Sequence, residues 1–165
     1  MELENALARF DGTHTAELKE AVEVARAAPE GALEAACSEA GLAVAATWVV
    51  KALLEQGAAE RLDLEAVFAT LPMVSEWEAQ LHLLQAVQYA PFAAVDQSGA
   101  VEALLDAKKT LVRVWALDAF VRIAGERVAL REQAKARVEA ALVGSAASLR
   151  ARARALDGIC AGWTG

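Results

Sequence analysis

The sequence predicts an all-α protein of about ten helices that stack as a repeating array. Aromatic residues make up 5% of the 165 residues and proline occurs three times, a composition that suits closely packed helices rather than sheets. Apolar residues recur at intervals of three and four, which places them on one face of a helix. Similar residue pairs also recur at a nearly constant spacing, which is typical of stacked helix hairpins.

The repeat spacing is measured between the small-plus-bulky pairs at the centre of each long helix. These pairs are Ala52-Leu53, Ala86-Val87 and Ala119-Phe120, and they follow one another at nearly equal spacings. The last helix continues the series through Leu156-Asp157 or, alternatively, through Gly158-Ile159.

Glycine, proline and capping residues set the predicted helix ends. Gly41 and Gly57 end two helices, and Pro72 and Pro91 stop two others. Ser75 and the glutamate three residues later fit a capping box at the start of the next helix. In the first half the predicted helices span 2–10, 13 or 15 to 28, 31–40, 42–56, 62–71 and 76–89.

The most regular helix of the second half spans 111–124. We expect Gly125 to end it in the left-handed conformation and Ser145 to cap the last helix. The apolar face of helix 111–124 carries Val112, Ala116, Ala119, Phe120 and Ile123. The other predicted helices of this half span 96 or 98 to 107, 127–143 and 145 to about 160.

This part of the chain resembles the second helix of a HEAT repeat. The resembling residues are Asp106 in the preceding turn, then Val112-Arg113, Ala116, Ala119-Phe120 and Ile123. The segment 148–156 also looks like that family. The resemblance implies a right-handed α-solenoid of antiparallel helix pairs, with Arg113 bonded to an aspartate, for which we expect Asp106.

On this interpretation residues 1–165 form a single HEAT-like domain, with an N-terminal helix pair in 1–30 and four pairs in 31–162. The tetratricopeptide repeat fits the spacing, but its Trp…Leu-Gly…Tyr pattern is absent from every unit. A globular helical bundle stays open as the alternative.

Charge is unevenly distributed along the chain. Residues 1–82 hold 15 acidic and 5 basic residues, net −10, whereas residues 83–165 hold 8 and 11, net +3. The acidic excess disfavours binding to a nucleic-acid backbone. The acidic start of the chain does not match a signal peptide, and Cys37 and Cys160 lie far apart among small apolar residues. We therefore expect reduced, buried cysteines and a cytoplasmic protein without a membrane span.

The sequence carries no recognisable catalytic or metal-binding motif, so we predict a non-enzymatic protein without a cofactor. The only histidines are His14 and His82, and neither has a neighbouring His or Cys at metal-ligand spacing.

Placing the long helices in register predicts a ladder of aromatic and polar residues on the side that lines the concave groove of HEAT-like arrays. We expect a partner protein or peptide to bind there, with the aromatic residues as anchors. The alternative is that Trp48 and Trp115 pack between repeats, and that His82 is a wedged, neutral histidine. The ladder residues are Trp48, Lys51, Glu55, His82, Gln85, Tyr89, Trp115, Asp118 and Arg122.

A second candidate surface lies near the C-terminus. In this alternative interpretation it binds an acidic partner, phosphate or nucleic acid. Arg150 and Arg154 share one helix face, while Arg152 points elsewhere. Association with a second copy of the chain is a further alternative. The basic set comprises Arg127, Arg131, Lys135, Arg137, Arg150, Arg152 and Arg154.

Overall fold

The computed structural model describes residues 2–13, 15–27, 29–38 and 41–163, with the side chains of residues 2, 17 and 36–38 outside the description. These residues form α-helices and short 3₁₀ segments without a strand, so the predicted all-α fold with about ten helices is confirmed. The helices are α1 (Glu2–Ala8), α2 (Ala16–Ala25), α3 (Glu30–Ser38), α4 (Ala43–Glu55), α5 (Leu64–Ala69), α6 (Trp77–Ala86), α7 (Ser98–Leu104), α8 (Thr110–Glu126), α9 (Arg131–Leu142) and α10 (Ala147–Ala161). The 3₁₀ segments are Ala59–Arg61, Leu71–Met73, Val87–Tyr89, Pro91–Gln97 and Val128–Leu130.

Internal contacts divide the chain into two compact units, Met1–Ala90 and Pro91–Gly165, which are called unit 1 and unit 2. The boundary coincides with the change in charge, because residues 83–90 carry no charged side chain. Unit 1 therefore has the net charge of −10, and unit 2 that of +3.

Unit 1 is built around α4, which packs against α2, α3 and α6. Val49, Val50 and Leu53 on α4 are at most 1% exposed, so this helix supplies the centre of the core. Gly41 and Gly57 flank α4 with φ angles of +97° and +78°, a backbone conformation that glycine adopts without a steric penalty.

Unit 2 is built around α8, which packs against α7, α9, α10 and the 3₁₀ segment Pro91–Gln97. Ala116, Ala119 and Phe120 are fully buried, which confirms the apolar face predicted for this helix. The side chains of the two alanines are short, and this allows neighbouring helices to approach α8 closely.

The predicted end of α8 at Gly125 is wrong, because Gly125 lies inside the helix and has no positive φ angle. Arg127 instead leaves the helix in an extended conformation. The side chain of Arg131 donates hydrogen bonds to the carbonyl oxygens of Ala124 and Gly125, at 3.3 and 3.2 Å. These bonds satisfy carbonyls at the helix end, a role that a left-handed glycine would otherwise serve.

The two predicted serine caps are also wrong. Helix α6 begins only at Trp77, so Ser75 lies one residue before the capping position and its hydroxyl donates to the Glu76 carboxylate at 3.4 Å. Helix α10 begins after Ala146 rather than after Ser145. Among the described residues a side-chain cap forms where none was predicted: Asp63 accepts a hydrogen bond from the backbone N–H of Ala66 at the start of α5.

Candidate binding surface

Six predicted ladder residues lie in unit 1, and they are called the α4–α6 polar surface. Trp48, Lys51 and Glu55 are spaced by three and four residues on α4, which places them along one side of the helix. His82 and Gln85 are three residues apart on α6, which packs against α4. The surface comprises Trp48, Lys51, Glu55, His82, Gln85 and Tyr89.

Lys51 and Glu55 form an ion pair within one turn of α4, with 2.9 Å between Nζ and Oε1. The side chain of Lys51 is 17% exposed and that of Glu55 is 41% exposed. An exposed pair at this spacing contributes only about 0.3–0.5 kcal/mol to stability. The pair therefore holds two charged groups in place at the surface and contributes little to the fold.

Tyr89 extends this pair into a larger polar group. It ends the 3₁₀ segment Val87–Tyr89 and is 39% exposed. Partial burial, together with the nearby carboxylate of Glu55, raises the pKa of Tyr89 above its ordinary value of 10.0. The phenol is therefore neutral at pH 7, with its ring available as an amphipathic contact.

His82 is wedged between α6 and α4. Its Nδ1 lies 3.1 Å from the hydroxyl of Thr47, which itself donates to the carbonyl oxygen of Ala43 at 2.8 Å. The hydroxyl oxygen can therefore accept a hydrogen bond from the Nδ1–H group of a neutral ring. Burial, together with the positive charge of Lys51, lowers the pKa of His82 from 6.5 to about 4, so the ring is neutral at pH 7.

Trp48 and Gln85 complete the α4–α6 polar surface and are both half-buried. The backbone carbonyl of Gln85, and not its side-chain amide, accepts a hydrogen bond from the side chain of Gln88. Trp48 is neither sealed in the core nor fully exposed, so both interpretations of this tryptophan stay open.

The three ladder residues of unit 2 behave differently. The expectation that Asp118 points out of the core is wrong, because Asp118 is 1% exposed. Its carboxylate accepts hydrogen bonds from Nε of Arg122 on the same helix and, at 3.1 Å, from Nη1 of Arg152 on α10. Two guanidinium groups compensate the buried charge, as burial of a carboxylate requires.

Trp115 belongs to the same network. The guanidinium carbon of Arg152 lies 4.3 Å from the centre of the Trp115 ring, a cation–π contact. Sequence reasoning missed Arg152 as the partner of both residues. The usable signal was that Arg152 follows Asp118 by one repeat spacing, which brings opposite charges together between neighbouring helices.

Most of the C-terminal basic set is engaged within unit 2. Arg150 donates at 2.7 Å to the carbonyl oxygens of Gly144 and Ser145, and Arg131 also lies 5.5 Å from the Trp163 ring. Lys135 pairs with Glu132. These contacts fix helix ends and turns, and they reduce the positive charge available to a phosphate backbone.

The predicted bond between Arg113 and Asp106 is wrong. Arg113 donates through Nη2 to the hydroxyl of Thr110, at 3.0 Å, whereas Asp106 lies 3.5 Å from Nη1 of Arg137. Thr110 is one turn before Arg113 on α8, so a local contact competes with the longer-range one.

Cys160 is buried as a free thiol, and burial together with the neighbouring Asp157 raises its pKa above the ordinary value of 9.0. A buried thiol with a raised pKa is a poor nucleophile. The predicted burial of Cys37 falls on a side chain outside the described residues.

Two wider observations bear on the function of the chain. Comparison with protein-family models, curated proteins and solved structures finds no match in any of the three. In the described residues no helix is both long and apolar enough to cross a membrane, and no three His, Cys, Asp or Glu side chains converge on a metal-binding position.

Proposed function

We propose that the protein is a non-enzymatic interaction module with HEAT-like solenoid repeats, and that it binds a peptide or helix of another protein on the α4–α6 polar surface. The observation that carries this proposal is the arrangement of Tyr89, Glu55 and Lys51. An exposed aromatic ring lies beside a fixed ion pair, close enough to the carboxylate of Glu55 for its charge to raise the pKa of the phenol. Aromatic residues held rigidly beside polar groups are the usual anchors of protein interfaces.

The charge of unit 1 favours a basic partner segment. Its net charge of −10 attracts lysine- and arginine-rich sequences and repels phosphate backbones. The carboxylate of Glu55 is the exposed acceptor next to Tyr89, so a basic side chain of the partner could pair with it while an apolar group contacts the ring. A cytoplasmic location, in which cysteines stay reduced, is consistent with the free thiol of Cys160.

The nucleic-acid alternative has weaker support. Arg131, Arg150 and Arg152 are held by carbonyl oxygens, a carboxylate or aromatic rings of their own unit. Arg127 and Arg154 are exposed. Micromolar binding to a random duplex that weakens steeply with salt would favour this alternative.

The test of the proposed function is recovery of a partner by the full chain from a cell lysate, followed by affinity measurements with surface variants. Tyr89→Ala removes the anchor, and Glu55→Lys reverses the charge with which a basic partner would pair. We expect each to weaken partner binding, by about 5- to 30-fold for Tyr89→Ala if it loses about 1–2 kcal/mol.

Matched controls come from exposed positions of unit 1 outside the α4–α6 polar surface. Met73, which is 65% exposed, provides an apolar truncation in Met73→Ala, and Glu65 on α5 provides a charge reversal in Glu65→Lys. These controls should bind the partner as the wild type does. Equal binding by Tyr89→Ala, Glu55→Lys and both controls would contradict the proposed site.

A further inference from the structure

Unit 2 contains a small cavity of about 170 Å³ that involves none of the predicted ladder residues. It lies between the end of α7, the first half of α8, the second half of α9 and the start of α10. Its walls include three leucines and three charged residues: Leu105, Leu117, Leu149, Asp106, Arg113 and Arg137.

Arg113 lines this cavity, and its guanidinium group is incompletely hydrogen-bonded. Its Nε is the one buried side-chain nitrogen or oxygen without a hydrogen-bond partner among the residues that the structure describes. A buried donor without an acceptor is destabilising, and more so when the group is charged. The one side-chain bond of this guanidinium group runs from Nη2 to the hydroxyl of Thr110. Because Nε has almost no accessible surface, an acceptor in the cavity would reach this guanidinium group through its outer Nη atoms.

Arg137 lies on α9 at the same cavity and is also incompletely engaged. Its Nη1 is 3.5 Å from both carboxylate oxygens of Asp106, which is the outer limit of a hydrogen bond. The side chain of Asp106 is 76% exposed, so water screens this pair. Two guanidinium groups against one carboxylate leave one positive charge in excess, which matches a monoanion.

The size of the cavity limits the ligand further. A cavity of about 150 Å³ lined by apolar side chains accommodates benzene. We propose that this cavity binds a small monocarboxylate with a compact apolar body. The carboxylate accepts hydrogen bonds from Arg113 and Arg137, and the apolar body packs against Leu117 and Leu149. This site is independent of the α4–α6 polar surface and of the function proposed for it.

Benzoate is the probe, and benzyl alcohol is the neutral control of similar shape. The full chain, labelled with ¹⁵N and with ¹³C methyl groups, is titrated with sodium benzoate at constant ionic strength. We expect saturable shifts of the Arg113 Nε–H signal and of the Leu117 and Leu149 methyl signals. Benzyl alcohol should bind at least about tenfold more weakly, since it cannot accept charge-assisted hydrogen bonds from both arginines.

Three variants separate ligand binding from structural effects. Arg137→Gln, at a side chain that is 37% exposed, should weaken benzoate binding at least about tenfold without loss of the native spectrum. Asp106→Asn removes the competing carboxylate and should tighten benzoate binding by about threefold or more. Arg154→Gln, at an exposed position on α10, is the charge control and should bind as the wild type does.

The proposal is overturned by any of three results. These are no saturable shift with benzoate, equal shifts with benzyl alcohol, or unchanged affinity in Arg137→Gln. Weaker binding in Asp106→Asn would mean that Asp106 supports the ligand site, by orienting Arg137, and does not compete with the ligand for the two arginines.

Discussion

Equivalent positions of α4 and α8 carry ion pairs of opposite polarity. Lys51 and Glu55 on α4 correspond to Asp118 and Arg122 on α8, with the same offset along the chain for both positions. The side chains of the first pair are 17% and 41% exposed, whereas that of Asp118 is 2% exposed. The carboxylate of the pair thus lies at the surface in unit 1 and in the interior in unit 2, whereas Lys51 and Arg122 are both partly exposed.

The cause of this difference is a third residue. Arg152 reaches from α10 to the carboxylate of Asp118 and covers the ring of Trp115. In unit 1 the third residue is Tyr89, which contacts Glu55 through a neutral phenol and keeps its own ring partly exposed. Register alone therefore does not decide whether a ladder residue binds a partner or stabilises the fold.

The largest expected effect is on the α8 network. Asp118→Asn removes the negative charge that two guanidinium groups share, and it should lower the free energy of unfolding by about 3 kcal/mol. This estimate lies at the lower end for a broken buried pair, because both arginines keep about a third of their side chains exposed and can turn to water. Urea denaturation measures the change.

Asp157→Asn is the matched control for this substitution, since Asp157 is an exposed carboxylate on α10 of the same unit. It should change stability by less than about 0.5 kcal/mol. Equal, small effects of the two substitutions would show that the network around Asp118 does not stabilise unit 2.

The contrast also shows which features could be predicted from the sequence. The apolar face of α8 and the glycine turns around α4 depend on residues a few positions apart, and these predictions agree with the structure. The burial of Asp118 depends on Arg152, which is distant in sequence and becomes adjacent only after helices have packed.

Helix ends were less predictable for a similar physical reason. Arg131 satisfies carbonyls at the end of α8 and Arg150 satisfies those before α10, so side chains replace the glycine and serine caps that local rules favour. Within the α4–α6 polar surface, the helical spacing was predictable. The proximity of Tyr89 to Glu55 was not, because these residues belong to different elements.

The second expected effect is a pH dependence that belongs to unit 1. His82 binds a proton near pH 6.5 when unfolded but only near pH 4 when folded, so between these values the unfolded state binds more protons. Stability should therefore fall as the pH is lowered from about 6.5 to about 4. The expected loss is about 2 kcal/mol, since the ring keeps some contact with water.

Urea midpoints of the wild type and of His82→Gln across this pH range measure the contribution of His82. The difference between the two proteins should itself change with pH and level off above about pH 7. A constant difference across the range would mean that His82 titrates alike in the folded and unfolded states, contrary to the buried position described above.

The smallest expected effect is that of Tyr89→Ala on stability. The ring is 39% exposed and its hydroxyl contacts a carboxylate that is itself exposed, so the free energy of unfolding should change by about 0.5 kcal/mol or less. Thermal and urea unfolding measure this change. A loss of about 2 kcal/mol or more, which is typical of truncation in a core, would assign Tyr89 to the core of unit 1 and remove it from the proposed binding surface.

A pair of matched charge reversals tests the central distinction most directly. Lys51→Glu and Arg122→Glu each replace the basic residue of one of the two corresponding ion pairs by an acidic residue. Each variant therefore places two carboxylates four residues apart on one helix. The measurement is the free energy of unfolding of both variants by urea denaturation at pH 7. We expect Lys51→Glu to stay within about 0.5 kcal/mol of the wild type, and Arg122→Glu to lose about 2 kcal/mol because it places a carboxylate against the buried Asp118. Equal losses in the two variants would contradict the distinction between a surface pair in unit 1 and a structural pair in unit 2.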